Sequence, residues 1–276
     1  MPLAILAYHS HHVVGAGYAD NDHVAFAADL DSLADLGWRI VPLAEAVRLH
    51  AAGGVGTGRL VALTFDDGPV YDVVDVDHPR FGRQIAFATA MRAFASRRPG
   101  AQPGLHATSF VIASPRARRT MEDHADPRYT WLAPGSLGED WWGPAIDSGL
   151  IAIANHSWDH LHPALERVAH SEGARGDFAR VTSVADADAQ IREAARYLAR
   201  ATGGRAAPYF AYPYGHANRF LAEDYLPSLG PNLCAAALTT EPRLVDPADS
   251  PFLLPRFVCG ADWRSPAELA ERLDSG

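Results

Sequence analysis

The stretch that decides the fold is Leu60-Val61-Ala62-Leu63-Thr64-Phe65-Asp66-Asp67-Gly68-Pro69. Its first six residues form an apolar run, which predicts a buried strand, and Gly68-Pro69 then turns the chain. Two adjacent carboxylates at a strand end repel each other unless a positive charge lies beside them. A divalent metal meets this need, because it takes one carboxylate as a ligand and leaves the other free to accept a proton. The alternative interpretation is that residues 66–69 form only a turn and have no catalytic role.

Apolar strands and helical periods alternate along the chain on both sides of this stretch. The strand candidates are 3–8, 39–42, 60–65, 106–113, 150–154, 208–212 and 235–238, and helical spacing is found near 26–37, 85–95 and 186–198. Strands that alternate with helices predict parallel βα units. No repeat or linker divides the chain, so residues 1–276 are expected to form one α/β domain, a barrel with its chemistry at the C-terminal ends of the strands.

Composition limits the partners. The 276 residues carry a formal net charge of −9 at pH 7, which excludes a general nucleic-acid surface. The N-terminal apolar run ends at Ala7, too short for a signal peptide or a membrane span, so we expect a cytoplasmic protein without a membrane partner. Cys234 and Cys259 are expected to be free buried thiols, with a disulfide as the alternative. The oligomeric state stays open.

A second segment, His156-Ser157-Trp158-Asp159-His160, follows the apolar run 150–154. If this segment is helical, His156 and His160 lie on one face and can reach the same ion. Together with Asp67 they make three protein ligands and leave a position open for water, which is the pattern of a catalytic metal site. Such ligands suit a divalent metal, with zinc favoured and cobalt, nickel or iron as alternatives. A surface or cap role for the histidines is the other interpretation.

A third segment, Phe210-Ala211-Tyr212-Pro213-Tyr214-Gly215, has the pattern of a strand that ends in a turn. We also interpret it as a groove wall that presents the backbone N–H of Tyr214 to a developing oxyanion, with Tyr212 and Pro213 as substrate-binding residues. Trp141 and Trp142 are candidates for stacking on sugar rings, with core packing as the alternative.

From about Leu60 to Gly215, the order and spacing of the three segments resemble the polysaccharide deacetylases of carbohydrate esterase family 4, the NodB homology domain. The resemblance implies a distorted (β/α) barrel. It implies Asp66 as general base and Asp67, His156 and His160 as metal ligands. It also implies a metal-dependent deacetylase that hydrolyses N-acetyl groups on amino sugars, or O-acetyl groups on polysaccharides.

The base aspartate lacks its usual partner. The family has an arginine at the position of Ala211, where it orients the base, and that arginine is missing here. We expect Arg256, in Leu254-Pro255-Arg256-Phe257, to supply the positive charge beside Asp66. A surface arginine is the alternative.

The general acid is also displaced. In the family it is a histidine C-terminal to the third segment, whereas here Ile5-Leu6-Ala7-Tyr8-His9 resembles that segment moved to the front. A circularly permuted subgroup, which includes the biofilm poly-N-acetylglucosamine deacetylases, resembles this arrangement and implies His9 as the acid. A structural histidine that closes a buried strand is the alternative, and His11 and His12 lie close enough in sequence to be confused with it.

Two further features concern the substrate. Asp262-Trp263 resembles an Asp-Trp element of the family, which makes Trp263 a candidate substrate-binding residue. The acid-rich stretch at about 70–84 has no counterpart in the family, and we expect a lid or rim insertion that narrows the substrate range. The substrate is therefore a carbohydrate or an acetylated small molecule. An amidohydrolase acting on a small non-sugar amide and a non-catalytic carbohydrate-binding relative are the rival functions.

Overall fold

The structure, a computed structural model, describes residues 2–54, 58–126, 130–169 and 172–274. Its strands are β1 (Leu3–Tyr8), β2 (Trp38–Ile40), β3 (Arg59–Phe65), β4 (Val76–His78), β5 (Gly82–Gln84), β6 (Ala107–Val111), β7 (Ile151–Asn155), β8 (Tyr209–Ala211), β9 (Ala236–Leu238) and β10 (Phe257–Val258). Its α-helices are α1 (Asp22–Asp35), α2 (Leu43–Ala51), α3 (Phe87–Arg97), α4 (Pro115–Asp123), α5 (Trp142–Asp147), α6 (Val184–Ala187), α7 (Glu193–Ala201), α8 (Leu226–Leu229) and α9 (Pro266–Asp274).

A parallel sheet organises the domain. Its order is β10-β1-β3-β6-β7-β8-β9, with β2 paired to the first half of β3. The sheet curls towards closure, because Leu238 of β9 bridges Leu254, and Phe257 of β10 pairs with Leu6 of β1. The predicted α/β fold, a distorted (β/α) barrel, is confirmed, while its treatment as one domain stays a prediction.

The central strands β1, β3 and β6 are buried on both faces, which explains why they are largely apolar runs in the sequence. Every residue of β1 is buried, and so is every residue of β3 after Arg59. Under the helices α1 and α3, Phe26, Phe65 and Phe87 pack with ring centroids 4.5 to 5.3 Å apart. Burying an aromatic side chain of this kind contributes about 1.5–3 kcal/mol.

The topology places several candidate site residues at one edge of the sheet. Because the strands are parallel, their carboxyl ends lie together, and the register pairs Tyr8 with Phe65. The residues that follow β1, β3 and β7 are His9, Asp66 and His156. The site is therefore built at the C-terminal ends of the strands, where barrels of this type place their chemistry.

Trp141 and Trp142 belong to the core, so the prediction that they stack on sugars is wrong. They are 6% and 1% exposed, at the start of α5. The guanidinium of Arg118 lies 4.9 Å from the centroid of the Trp142 ring and closes it off further. Core packing, the alternative interpretation, is what the structure has.

The stretch 70–84 is only partly a surface feature. It begins with a 3₁₀ turn, Val70–Asp72, in which Tyr71 and Asp72 are buried, and continues into the β4–β5 hairpin. Its expected effect on substrate range stays a prediction.

Three further predictions concern the cysteines, membrane-spanning helices and cellular location. Cys234 and Cys259 are free and buried, as expected. Across the described ranges, no helix combines the length and the apolarity needed to cross a membrane. The predicted cytoplasmic location stays a prediction.

Candidate metal centre

Asp67, His156 and His160 come together at the ends of β3 and β7. The Nε2 atoms of His156 and His160 lie 3.5 and 3.4 Å from Oδ1 of Asp67. Tetrahedral bonds of about 2.0–2.2 Å place neighbouring ligand atoms about 3.4 Å apart. Oδ1 of Asp67 is also buried without a hydrogen-bond partner in the described part of the chain. The three side chains therefore fit a divalent cation in the spacing and the chemical type of their ligand atoms. Oδ1 of Asp67 has no other partner in the described residues and is available to bind it.

The backbone of Ala211 orients His156. Nδ1 of His156 lies 2.9 Å from the carbonyl oxygen of Ala211, so this nitrogen carries the proton and donates it. The Nε2 lone pair is left facing Asp67. Metal-ligating histidines commonly have such a second hydrogen bond, which fixes the tautomer and the ring. The position that lacks the family's arginine thus still contributes to the site through its carbonyl group.

The segment from His156 to His160 is a tight loop, which corrects the helical interpretation. Ser157 and His160 have φ angles of 72° and 61°, in the left-handed region that side chains other than glycine rarely adopt. The loop is held by its own polar groups, since Oγ of Ser157 accepts the His160 N–H at 2.9 Å. The buried Asp159 accepts the backbone N–H groups of Leu161 and Ala169 at 3.0 and 2.7 Å. Strained backbone of this kind is concentrated at functional sites.

The turn after β3 imposes a similar requirement. Asp67 has φ 69° and Gly68 has φ 72°. A Cβ on Gly68 would lie 2.5 Å from Cγ1 of Val111, so only glycine fits beside Asp67.

Asp66 is held by Arg256. The guanidinium donates to both carboxylate oxygens at 2.8 Å, and its Nε donates to the carbonyl of Thr239 at 3.0 Å. Arg256 has no exposed surface. Burial alone would raise the pKa of Asp66, but the charges of Arg256 and His156 outweigh it and hold that pKa below its usual value. The structure therefore brings Arg256 to the base candidate, on the segment that closes the barrel, and its orienting role stays a prediction.

The pKa values of the cluster follow from burial and charge. Burial lowers the pKa of His160 to about 3, despite the opposing charge of Asp67. Burial would raise the pKa of Asp67, but the neighbouring histidines, His160 first, hold it well below its usual value. A neutral imidazole and an ionised carboxylate are the forms that bind a metal.

A cavity of about 570 Å³ opens over these side chains. His9 and Asp66 line it, as does Tyr214, which is 37% exposed and whose ring lies 4.4 Å from that of His160. His9 is anchored through its backbone N–H, which donates to Asp22 at 2.7 Å. The acid role of His9 and the oxyanion role of the Tyr214 N–H stay predictions.

The predicted substrate-binding residues Tyr212, Pro213 and Trp263 do not line this cavity, and their role in substrate binding stays a prediction. Tyr212 and Trp263 have no exposed surface, and Pro213 is buried. The Tyr212 hydroxyl donates to the carbonyl of Phe252 at 3.0 Å. Of the Asp-Trp pair it is Asp262 that lines the cavity.

His11 was not predicted as a site residue. Its Nε2 lies 2.8 Å from Oδ2 of Asp67, and it lines the cavity together with His9. His12 instead pairs with Asp22 at 2.7 Å. In the sequence, His11 was considered only because it lies close enough to His9 to be mistaken for the general acid. Its contact with Asp67, a residue 56 positions away, is fixed only by tertiary packing.

A carboxylate and two imidazoles at the carboxyl edge of a parallel barrel, beside an arginine-bound carboxylate, define a candidate hydrolytic metal centre. Residues 101–226 match the family model described as polysaccharide deacetylase. This segment contains His156, His160 and Tyr214, whereas Asp66 and Asp67 precede it. The predicted resemblance to the polysaccharide deacetylases is thereby confirmed. A search of curated proteins found no match.

Solved structures share the fold over nearly the whole chain. IcaB from Ammonifex degensii is 20% identical, with a TM-score of 0.62 and 100% of both chains covered. A de-N-acetylase from Aggregatibacter actinomycetemcomitans is 15% identical, with a TM-score of 0.62 and coverage of 99% of this chain and 100% of that one. The Streptococcus pyogenes deacetylase PplD, in complex with acetate, is 16% identical, with a TM-score of 0.57 and coverage of 99% and 98%.

Proposed function

We propose that the protein is a metal-dependent hydrolase that removes acetyl groups, N-acetyl or O-acetyl, from a carbohydrate. The observation that carries this proposal is the convergence of Asp67, His156 and His160 beside the Asp66–Arg256 pair in one cavity. The family match over 101–226 supports the reaction type. Deacetylation is also the activity named for two of the structural neighbours.

Asp67, His156 and His160 would hold the cation. One carboxylate oxygen and two imidazole nitrogens suit zinc best, with cobalt, nickel or iron as alternatives. When bound there, a divalent cation supplies a Lewis acid for the acyl carbonyl and lowers the pKa of water.

The residues around the cluster then divide the proton transfers. Asp66, kept ionised by Arg256, accepts a proton from the attacking water as general base. The backbone N–H of Tyr214 donates to the oxyanion. His9, which lines the same cavity, donates a proton to the leaving amine or alcohol.

The Arg256–Asp66 pair also bears on the rival functions. The missing arginine at Ala211 was the argument for a non-catalytic relative, whereas here Arg256, just before β10, donates to both carboxylate oxygens of Asp66. This favours catalysis over carbohydrate binding alone. The amidohydrolase on a small amide is the remaining rival.

Acetate release tests the proposal. The purified protein with added zinc or cobalt is expected to release acetate from chito-oligomers or acetylated sugars, and Asp67→Asn is expected to abolish this release. Activity confined to small non-sugar amides would contradict the carbohydrate part of the proposal. No release from any acetylated compound with any of the four metals would contradict the whole of it.

A further inference from the structure

We propose that His11 is a positioning residue, which fixes Asp67 so that it ligates through Oδ1 alone, and that Thr130 in turn fixes His11. This inference rests on the proposed function, because it assumes that Asp67 holds a metal. It assigns a task to a histidine that the mechanism above does not use.

The two oxygens of the Asp67 carboxylate have different partners. Its Oδ2 lies 2.8 Å from Nε2 of His11, while its Oδ1 faces the histidines of the cluster at 3.4 and 3.5 Å. A carboxylate only accepts hydrogen bonds, so Nε2 of His11 carries the proton and donates it. One oxygen is therefore occupied by a donor, and only the other remains for the cation.

His11 is itself held in place by the segment that contains Thr130 and Trp131. Oγ1 of Thr130 lies 3.0 Å from Nδ1 of His11, and the backbone N–H of Trp131 donates to the His11 carbonyl at 2.8 Å. With Nε2 protonated, Nδ1 of the neutral ring accepts from the Thr130 hydroxyl. The ring is thus held from both sides, and its proton stays on the nitrogen that faces Asp67.

The segment that carries Thr130 packs against the stretch 70–84. Trp131 stacks on Tyr71 with ring centroids 4.7 Å apart and an interplanar angle of 13°. The Tyr71 hydroxyl accepts the backbone N–H of Ala133 at 2.8 Å, and His78 of β4 packs on Trp131 at 4.6 Å. The stretch 70–84 therefore supports the cavity wall that carries Thr130, in addition to any effect at the rim.

Together these contacts form a chain from the β4–β5 hairpin to the metal ligand. Without the His11 N–H, Oδ2 of Asp67 would lose its partner, and the carboxylate could turn or bind the cation with both oxygens. Loss of such outer hydrogen bonds typically weakens metal affinity about 10–100-fold.

The test measures metal affinity directly, by competition with a chromophoric chelator, together with the visible spectrum of the cobalt-substituted protein. His11→Ala is expected to weaken affinity about 10–100-fold. His11→Gln places an amide N–H where Nε2 lies and should recover most of the loss. Thr130→Val, which removes only the hydroxyl, should give a smaller loss than His11→Ala.

His106→Ala is the matched control, because His106 precedes β6 at the opposite edge of the sheet. Its affinity should equal that of the wild type. Thermal unfolding of each apo variant, measured alongside, separates a loss of affinity from a loss of fold.

Two outcomes would overturn the assignment. One is a folded His11→Ala variant that binds metal as the wild type does. The other is a cobalt spectrum that shows a lost nitrogen ligand without rescue by His11→Gln, which would make His11 a ligand. A wild type that binds no divalent metal would instead refute the proposed function.

Discussion

Two adjacent carboxylates at the end of β3 lie in different surroundings. Asp66 faces Arg256, from the segment that closes the barrel, and both of its oxygens accept hydrogen bonds from that guanidinium. Asp67 faces the imidazoles of His156 and His160, and its Oδ1 has no hydrogen bond within the described ranges. In the proposed mechanism these neighbours direct identical side chains to different tasks, one to proton transfer and the other to the cation.

Of the variants that test this difference between the two carboxylates, Asp67→Asn should have the largest effect. Asp67→Asn replaces an anionic ligand with a neutral amide, so metal binding and acetate release should both fall below detection. Equilibrium dialysis with zinc and the acetate assay check this. Asp177→Asn is the control and should retain both, because Asp177 is a half-exposed carboxylate that pairs with His216 at 3.2 Å and accepts the Ala179 N–H at 3.1 Å. Wild-type metal affinity in Asp67→Asn would contradict the ligand assignment.

The same substitution one residue earlier should separate the two tasks. Asp66→Asn removes the base and leaves the three ligands in place, so the rate should fall about 10²–10⁴-fold while metal stays bound. Steady-state kinetics at saturating metal, with metal content measured on the same sample, decide the outcome. Near-full activity with bound metal would show that Asp66 is not the base.

The Arg256 side of the comparison is tested by Arg256→Met. Removing one partner of a buried ion pair leaves an uncompensated charge and typically costs about 3–5 kcal/mol of stability. Without the guanidinium the effect of burial prevails, so the pKa of Asp66 should rise and the acid limb of the pH–rate profile should move to higher pH. The double variant Asp66→Asn, Arg256→Met should regain stability without activity. An unchanged acid limb in Arg256→Met would contradict the claim that the Arg256 charge lowers the pKa of Asp66.

Sequence patterns predicted the parts of the molecule that local chemistry determines. Strands at 3–8 and 60–65 follow from continuous apolar runs, and the structure has them at Leu3–Tyr8 and Arg59–Phe65. The placement of Asp66 and His156 at one edge follows from parallel strands. These features depend on hydrophobic periodicity and on turn residues, which a single chain displays directly.

What the sequence did not predict depends on contacts between distant segments. The loop that brings His156 and His160 together needs left-handed backbone, which the spacing of two histidines cannot distinguish from a helix. Trp263 was assigned to the substrate because of its neighbour, yet its indole N–H donates to the buried Asp29 at 3.1 Å. His11 reaches Asp67 only after β1 and β3 pair.

The smallest expected effect concerns a third carboxylate, Asp72, which lies close enough to the first two to sense their charge. It is fully buried and accepts hydrogen bonds from Ser10 and Ser109 at 2.6 and 2.7 Å. Burial, with a smaller contribution from the charges of Asp66 and Asp67, raises its pKa to about 7. Between about pH 4 and pH 7 the Asp72 carboxyl therefore holds more of its proton in the folded metal-free protein than in the unfolded chain, so its contribution to stability falls as pH rises.

Asp72→Asn removes this titration and keeps a group that can bond both serines. Its melting temperature relative to the wild type should therefore be higher at pH 8 than at pH 5, in metal-free protein. Asp77→Asn, an exposed position in the same stretch, should show no such trend. A cation at Asp67 offsets the negative charge that Asp72 senses, so added zinc should reduce the difference between Asp72→Asn and the wild type at pH 8. If the difference were the same at both pH values, Asp72 would not titrate between pH 5 and pH 8, which would contradict the raised pKa expected from its burial.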